Sequence, residues 1–294
     1  IAFPERTNDL GIKSLKWLSP EWCHQLQIAL DKAKELHLGC DLLVGSGWPY
    51  GCENLSMEER AQVMIVNAVK VRGPQIYKTK ADSLILPVIP QVTDPDKHRM
   101  AEIVSLQLDP AKMESMSQVI DLKGGIKGKS VKIEIPEGDY FIYALVKFTS
   151  FANVINGAPG ASGPILDHFN ATAVRKYLDR MSATLADNLR MPLSYYLRAF
   201  FTDSMELEGS NWCSDFASEF QKRNGYDIMP YLPYILFKVG RLGSVVDFNY
   251  GAEKSPELQE VLSRVRYDYE TTKAQLLQER FWDTFTQWCK NQGV

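Results

Sequence analysis

Apolar residues recur at helical spacing near the start of the chain, with Trp22, Leu26, Ala29, Ala33 and Leu36 forming one stripe. Ser19 is a suitable N-cap and Pro20 suits the first helical position, where its missing N–H costs nothing; together they predict a helix from about residue 20 to residue 38. Gly39 is a stop, and the short apolar run at 41–44 is suited to a buried strand. Gly45-Ser46-Gly47-Trp48-Pro49-Tyr50-Gly51 then interrupts regular structure. Ser56-Met57-Glu58-Glu59 has the pattern of a capping box and predicts a second helix through about Val71. Helix, strand, loop and helix in that order read as an α/β fold with parallel strands.

The rhythm changes near Gly73. Alternating or β-rich runs follow at 83–88, 103–108, 131–135 and 140–148, and Pro136-Glu137-Gly138-Asp139 predicts a hairpin turn between the last two. Gly124-Gly125 and Gly128 mark further turns, so 74–150 reads as an inserted all-β module. After the glycine-rich stretch 156–164, Val174, Tyr177, Leu178, Met181 and Leu185 predict a helix over 171–188. A β-prone run covers 195–202. A short helix around 216–223 is stopped by Asn224-Gly225, and a last long helix begins near Ser255-Pro256 and reaches toward Lys290.

Composition excludes several function classes. The chain has 294 residues, 45% of them hydrophobic, and a net charge of -3, so it carries no electrostatic footprint for nucleic acid. No apolar run approaches the roughly 20 residues of a membrane span. Five cysteines, Cys23, Cys40, Cys52, Cys213 and Cys289, are scattered without a CxxC pair, which argues against a zinc site. A Cys40–Cys52 pair would need an oxidising compartment. Neither a GxSxG elbow nor a phosphate-binding glycine motif is present.

In parallel α/β folds, chemistry sits at the carboxyl ends of strands. Two such ends carry unusual residues. At one, Ser46 and Trp48 lie among glycines, and a Trp beside glycine suits stacking under a sugar ring; sealing the end of the fold fits it equally well. At the other, Asp203, Glu206 and Glu208 fall within six residues. Clustered carboxylates raise one another's pKa, as a general acid requires, and glycoside hydrolysis uses two carboxyl groups. A solvated acidic loop, or a Ca²⁺ ion with its six to eight oxygen ligands, fits the same cluster. His168, in Asp167-His168-Phe169-Asn170, precedes a helix that Asn170 caps; it fits a hydrogen-bonding partner of a sugar or a structural histidine.

Three ordered stretches resemble glycoside hydrolase family 106, the α-L-rhamnosidases. These are Gly45-Ser46-Gly47-Trp48-Pro49, the glycine-rich segment running from Gly157 into Asp167-His168, and Asp203-Ser204-Met205-Glu206 followed by Asn211-Trp212 and Arg223-Asn224-Gly225-Tyr226-Asp227. The resemblance implies a (β/α)8 TIM-type barrel with attached β-domains, here partial, with its first part in 1–73 and its continuation in 151–294. It implies an inverting enzyme acting on plant or pectic rhamnosides, with calcium as cofactor and a rhamnose-containing oligosaccharide or polysaccharide as partner. On the matching positions Glu206 is the expected general acid; Trp48, Ser46, His168, Asp203, Glu208 and Trp212 are the expected substrate-binding residues. Glu208 is the substitute for Glu206, since both follow the same strand at even spacing. The pattern also implies an internal fragment whose second catalytic carboxylate lies elsewhere, and a periplasmic or secreted location. A non-catalytic carbohydrate-binding protein, or a glycosidase for another sugar, is the competing expectation.

Overall fold

The computed structural model of the protein describes residues 14–45, 47–88, 100–202, 207, 209–236, 238–239, 245–247 and 250–294. In chain order the first elements are α1 (Pro20–Glu35), β1 (Cys40–Leu43), β2 (Gln62–Lys80), α2 (Ala81–Ile85) and β3 (Ala101–Pro110). Three two-residue strands follow, β4 (Lys112–Met113), β5 (Ile120–Asp121) and β6 (Ile126–Lys127), and then β7 (Ser130–Thr149). The chain continues through α3 (Ala171–Asn188), α4 (Leu193–Tyr196), β8 (Leu197–Phe201), α5 (Phe216–Asn224) and α6 (Leu232–Ile235). It ends with β9 (Lys238–Val239), β10 (Val245–Asp247), β11 (Glu253–Lys254), α7 (Pro256–Leu277) and α8 (Asp283–Asn291). The result is a mixed α/β chain that divides into two compact units. One comprises 1–61, 152–208 and 275–294, the other 62–151 and 209–274.

In the first unit, α1 starts at its capping signal: the Ser19 hydroxyl accepts from the Trp22 N–H at 3.3 Å, with Pro20 in the first turn. Its buried face is Trp22, Cys23, Gln27 and Leu30, whereas Leu36 of the expected stripe is exposed. The face rotates because Gln27 is satisfied inside, donating to the Tyr196 hydroxyl and to Asp31 Oδ1, each at 2.8 Å. Ser19→Ala is expected to lower stability by about 1 kcal/mol, read as a shift in the urea midpoint. Helix α3 is capped by Asn170 Oδ1, which accepts from Ala173 N–H at 3.1 Å, and buries Val174, Tyr177, Leu178, Met181 and Leu185 as its spacing predicts. β1 and β8 pair in parallel, Leu43 opposite Phe201. The core joins α1 and α3 to Phe281 and Trp288 near the end of the chain.

The second unit is built on an antiparallel sheet in the order β2-β7-β3-β5, with β6 also on β7. Here three sequence expectations are corrected. The helix expected through Val71 is absent: Met57–Glu59 forms a single 3-10 turn and the chain then enters β2. Val63, Ile65, Val66, Val69 and Val71 are β-branched, and β7 pairs with β2 from Gln62 to Lys80, so pairing overrides the local capping signal. The β-rich run at 83–88 instead begins inside α2. The turn expected at 136–139 is a bulge within the 20-residue β7, opposite Gly73. A Cβ at Gly73 would stand 1.8 Å from the Pro136 oxygen, so the bulge requires glycine there.

β7 is the central strand, and consecutive residues Ile142, Tyr143, Ala144, Leu145 and Val146 are all fully buried, which means that both sheet faces are covered. On one face Ile142 and Ala144 join Leu106, Leu108 and Leu84. From the other, the Tyr143 hydroxyl accepts from Ala252 N–H at 2.6 Å and its ring meets Tyr234 edge-on. The segment before α5 is fastened along β2. Asn211 accepts from Met64 N–H at 2.7 Å and donates to Met64 O at 3.1 Å, and Tyr269 donates to Asn211 O. Asn211→Ala leaves both Met64 groups unpaired in the interior; a loss of about 1–3 kcal/mol is expected in chemical unfolding.

Candidate functional site

Because β1 and β8 are parallel, both strands release their following segments at the same end; Val44 N–H donates to Phe201 O at 3.0 Å just beyond the pair. The loop 45–51 leaves from β1 and the acidic segment from β8, and strand carboxyl ends are where α/β proteins place chemistry. Asp203, Glu206 and Glu208, with Ser46, lie outside the described residues.

The loop is held by backbone pairing and close packing. Trp48 N–H donates to Ile155 O at 3.3 Å, Ile155 N–H to Trp48 O at 2.8 Å, and Leu166 N–H to Tyr50 O at 2.8 Å. A Cβ at Gly47 would lie 2.7 Å from Ile155 O, and one at Gly51 2.2 Å from Pro164 O. Two motifs that are separate in sequence, the loop at 45–51 and the stretch 156–164, therefore form one packed feature whose glycines permit backbone contact. Trp48 is half-buried.

Beneath the loop, Tyr50, Tyr177, His168 and Phe281 form a buried aromatic group. Tyr50 stacks on His168 and Tyr177, and Phe281 lies 5.0 Å from the His168 ring centre. Phe281 sits in a π-helical turn, Gln278–Trp282, between α7 and α8. Arg280 of the same turn donates to Phe169 O at 2.9 Å, and Asp167 Oδ1 accepts from Phe169 N–H at 3.0 Å. His168 is 1% exposed, and its Nδ1 lies 2.8 Å from Leu166 O, which fixes the proton on Nδ1. Nε2 is then an acceptor, and it has no hydrogen-bond partner among the described residues. His168 is thus placed under the loop rather than on an open surface. Trp212, in the other unit, is 5% exposed with its ring 4.7 Å from Phe216.

Burial holds His168 down to about 4, against the weaker opposing hydrogen bond to Leu166, so the imidazole is neutral in the folded protein. The unfolded chain takes up that proton near pH 6.5 and the folded one only near 4. Stability from this group is therefore complete above about 6.5 and lost as pH falls toward 4. Asp109 in the second unit acts oppositely. Burial pushes it up to about 6 despite hydrogen bonds from Tyr234 and Gln107, so its contribution is lost as pH rises from about 3.8 through 6. Melting temperatures at pH 7 and 5 are expected to fall less in His168→Gln than in the parent protein, and further in Asp109→Asn.

The sequence reading missed Tyr50, although it lies inside the loop motif, and also Arg280 and Phe281, which carry no local signal. Among the described residues no group of three His, Cys, Asp or Glu side chains could hold a metal ion, and no disulfide joins any of the five cysteines. Among the described residues no helix is long and apolar enough to cross a membrane.

Residues 97–294 match the family model of glycoside hydrolase 106, described as alpha-L-rhamnosidase. No curated protein matches the chain. Among solved structures, a rhamnosidase from Novosphingobium sp. PP1Y is similar, with a TM-score of 0.59 and 15% identity over 100% of this chain. At that identity the likeness concerns the fold. The chain spans 42% of the length of that protein.

Proposed function

This chain belongs to glycoside hydrolase family 106, and on that premise we propose that it forms part of an enzyme that hydrolyses α-L-rhamnosides, with plant or pectic oligosaccharides and polysaccharides as substrates. The family match over 97–294 carries this reading. The parallel β1–β8 pair, releasing the loop at 45–51 and the acidic segment at one end, supports it. We take the pair as two strands of a (β/α)8 barrel.

In the proposed reaction Glu206 protonates the glycosidic oxygen as the bond to the anomeric carbon breaks. A second carboxylate removes a proton from the water attacking the opposite face. Inversion needs the two carboxyl groups about 6.5–9.5 Å apart to admit that water. Asp203, Glu208 and Ser46 are assigned to sugar hydroxyls, Trp48 to an apolar sugar face, and Trp212 to anchoring the segment that follows Glu208. His168, buried and neutral, holds the loop from below. Among the described residues no group of three His, Cys, Asp or Glu side chains could hold calcium.

The stereochemistry is tested by following the first product with proton NMR. The β-anomer of rhamnose appearing first is the expected result. The α-anomer appearing first would overturn inversion, and no rhamnose at all would overturn the enzyme assignment.

A further inference from the structure

One end of the second unit's sheet collects lysines on a single face. In the β2–β7 ladder Lys78 stands directly opposite Lys132 and Lys80 opposite Ser130, and β6 brings Lys127 to Ser130 from the other side. Residues opposite one another point to the same face, and side chains alternate along each strand. Burial follows that alternation. Val131, Ile133 and Ile135 lie in the core with Leu106, while Lys78, Lys80, Lys127 and Lys132 are exposed. On strand spacings the four lysine Cα atoms fall within about 12 Å of one another.

Elsewhere the same ladder matches charge with countercharge. Arg72 faces Asp139 in register, 3.9 Å away, and Lys147 faces Glu102 of β3 at 2.6 Å. At the lysine end the register instead sets like charges opposite, which destabilises a strand pair. Lys78 and Lys132 stand about 5 Å apart at the backbone, inside the screening length of about 8 Å in physiological salt. Glu134, two residues along β7 and opposite Ile76, makes no ion pair with them. Among the described residues none of the four lysines has a salt bridge or a side-chain hydrogen bond. Anionic groups arriving from outside would offset this repulsion.

We propose that this face binds acidic polysaccharide, its lysines pairing with the carboxylates of successive uronate units. One exposed ion pair contributes little, so a single uronate gains almost nothing here. A polymer engaging several lysines makes its later contacts intramolecular and binds far more tightly. Lysine ammoniums, compact and carried on flexible stems, suit carboxylates whose positions vary along a mobile chain. The net charge of -3 works against a nucleic-acid duplex. The choice of a uronate polymer rests on the rhamnosidase reading with its pectic substrates; the preference for anions rests on the lysines alone.

The test titrates polygalacturonate, its fully methyl-esterified form, D-galacturonate and a DNA duplex separately into the full chain, followed by calorimetry. Saturable binding of polygalacturonate that weakens as salt rises is expected. The monomer should bind at least about a hundredfold more weakly per uronate, and the uncharged ester and the duplex at least about tenfold more weakly. Lys78→Gln/Lys132→Gln and Lys80→Gln/Lys127→Gln are each expected to weaken polygalacturonate about tenfold or more. Lys32→Gln/Lys290→Gln, which removes the same charge from exposed positions of the first unit, is expected to retain it. Thermal melts confirm that each variant is folded. No polygalacturonate binding, equal binding of the ester, or binding unchanged in the folded β-sheet variants would overturn the surface. A monomer as tight as the polymer would overturn the multivalent mode, and a duplex as tight would overturn the polysaccharide assignment. Hydrolysis of a neutral aryl α-L-rhamnoside is measured on the same samples and is expected to be unchanged by either β-sheet variant. Its absence from the parent protein would remove the rhamnosidase reading while leaving the charge-dependent binding to stand or fall by itself.

Discussion

Glu206→Gln is expected to lower kcat/KM on rhamnosides with poor leaving groups by roughly 10²–10⁴-fold, the range for loss of a general acid. The amide matches the carboxyl in shape but cannot deliver a proton to the departing oxygen. Aryl rhamnosides with acidic phenols leave without much assistance, so their loss should be smaller. That contrast between leaving groups separates proton donation from substrate positioning, which would depress both classes alike. Unchanged rates on poor leaving groups would transfer the role to Glu208, which follows the same strand.

The second large effect concerns stability. Phe281 is 1% exposed, and its ring meets His168, Tyr50, Trp282 and Phe285. Truncation to alanine removes those contacts and leaves a cavity under the loop, at a cost of about 3–5 kcal/mol. Phe281→Leu, which keeps most of the volume, should recover more than half of that. Urea unfolding of the two variants checks it, and near-parent stability in Phe281→Ala would show that the aromatic group does not support the first unit.

The helices that could be read from the sequence are those whose ends carry their own chemistry. Ser19 and Asn170 cap α1 and α3, and Gly225, at φ +83°, ends α5 where Asn224-Gly225 predicts a stop. Failures arose where distant pairing decided the outcome. Ser56 and Glu59 look like a helix start, and Glu59 does accept from Ser56 N–H at 2.9 Å, yet the strand partner of the next residues lies more than 60 positions away in sequence. Pro136 and Gly138 look like a hairpin turn, but pairing of β7 with β2 on both sides of them makes a bulge.

The candidate site was legible to the extent that it is local. Gly47 and Gly51 mark an irregular loop in the sequence; what they pack against, residues 154–165, is a tertiary fact. Trp48 is half-buried within the loop, whereas Trp212, expected among the substrate-binding residues, is 5% exposed and lies against Phe216. Phe281 reaches His168 across more than 100 residues, from a helix whose pattern records only an apolar face.

The most direct measurement is the initial rate of rhamnose release from an aryl α-L-rhamnoside by the purified protein, beside the same aryl glycosides of other sugars. Saturable release confined to the rhamnoside and sharply reduced in Glu206→Gln is the expected result. Sugar binding without release from any of these glycosides would contradict it and leave a carbohydrate-binding protein in its place.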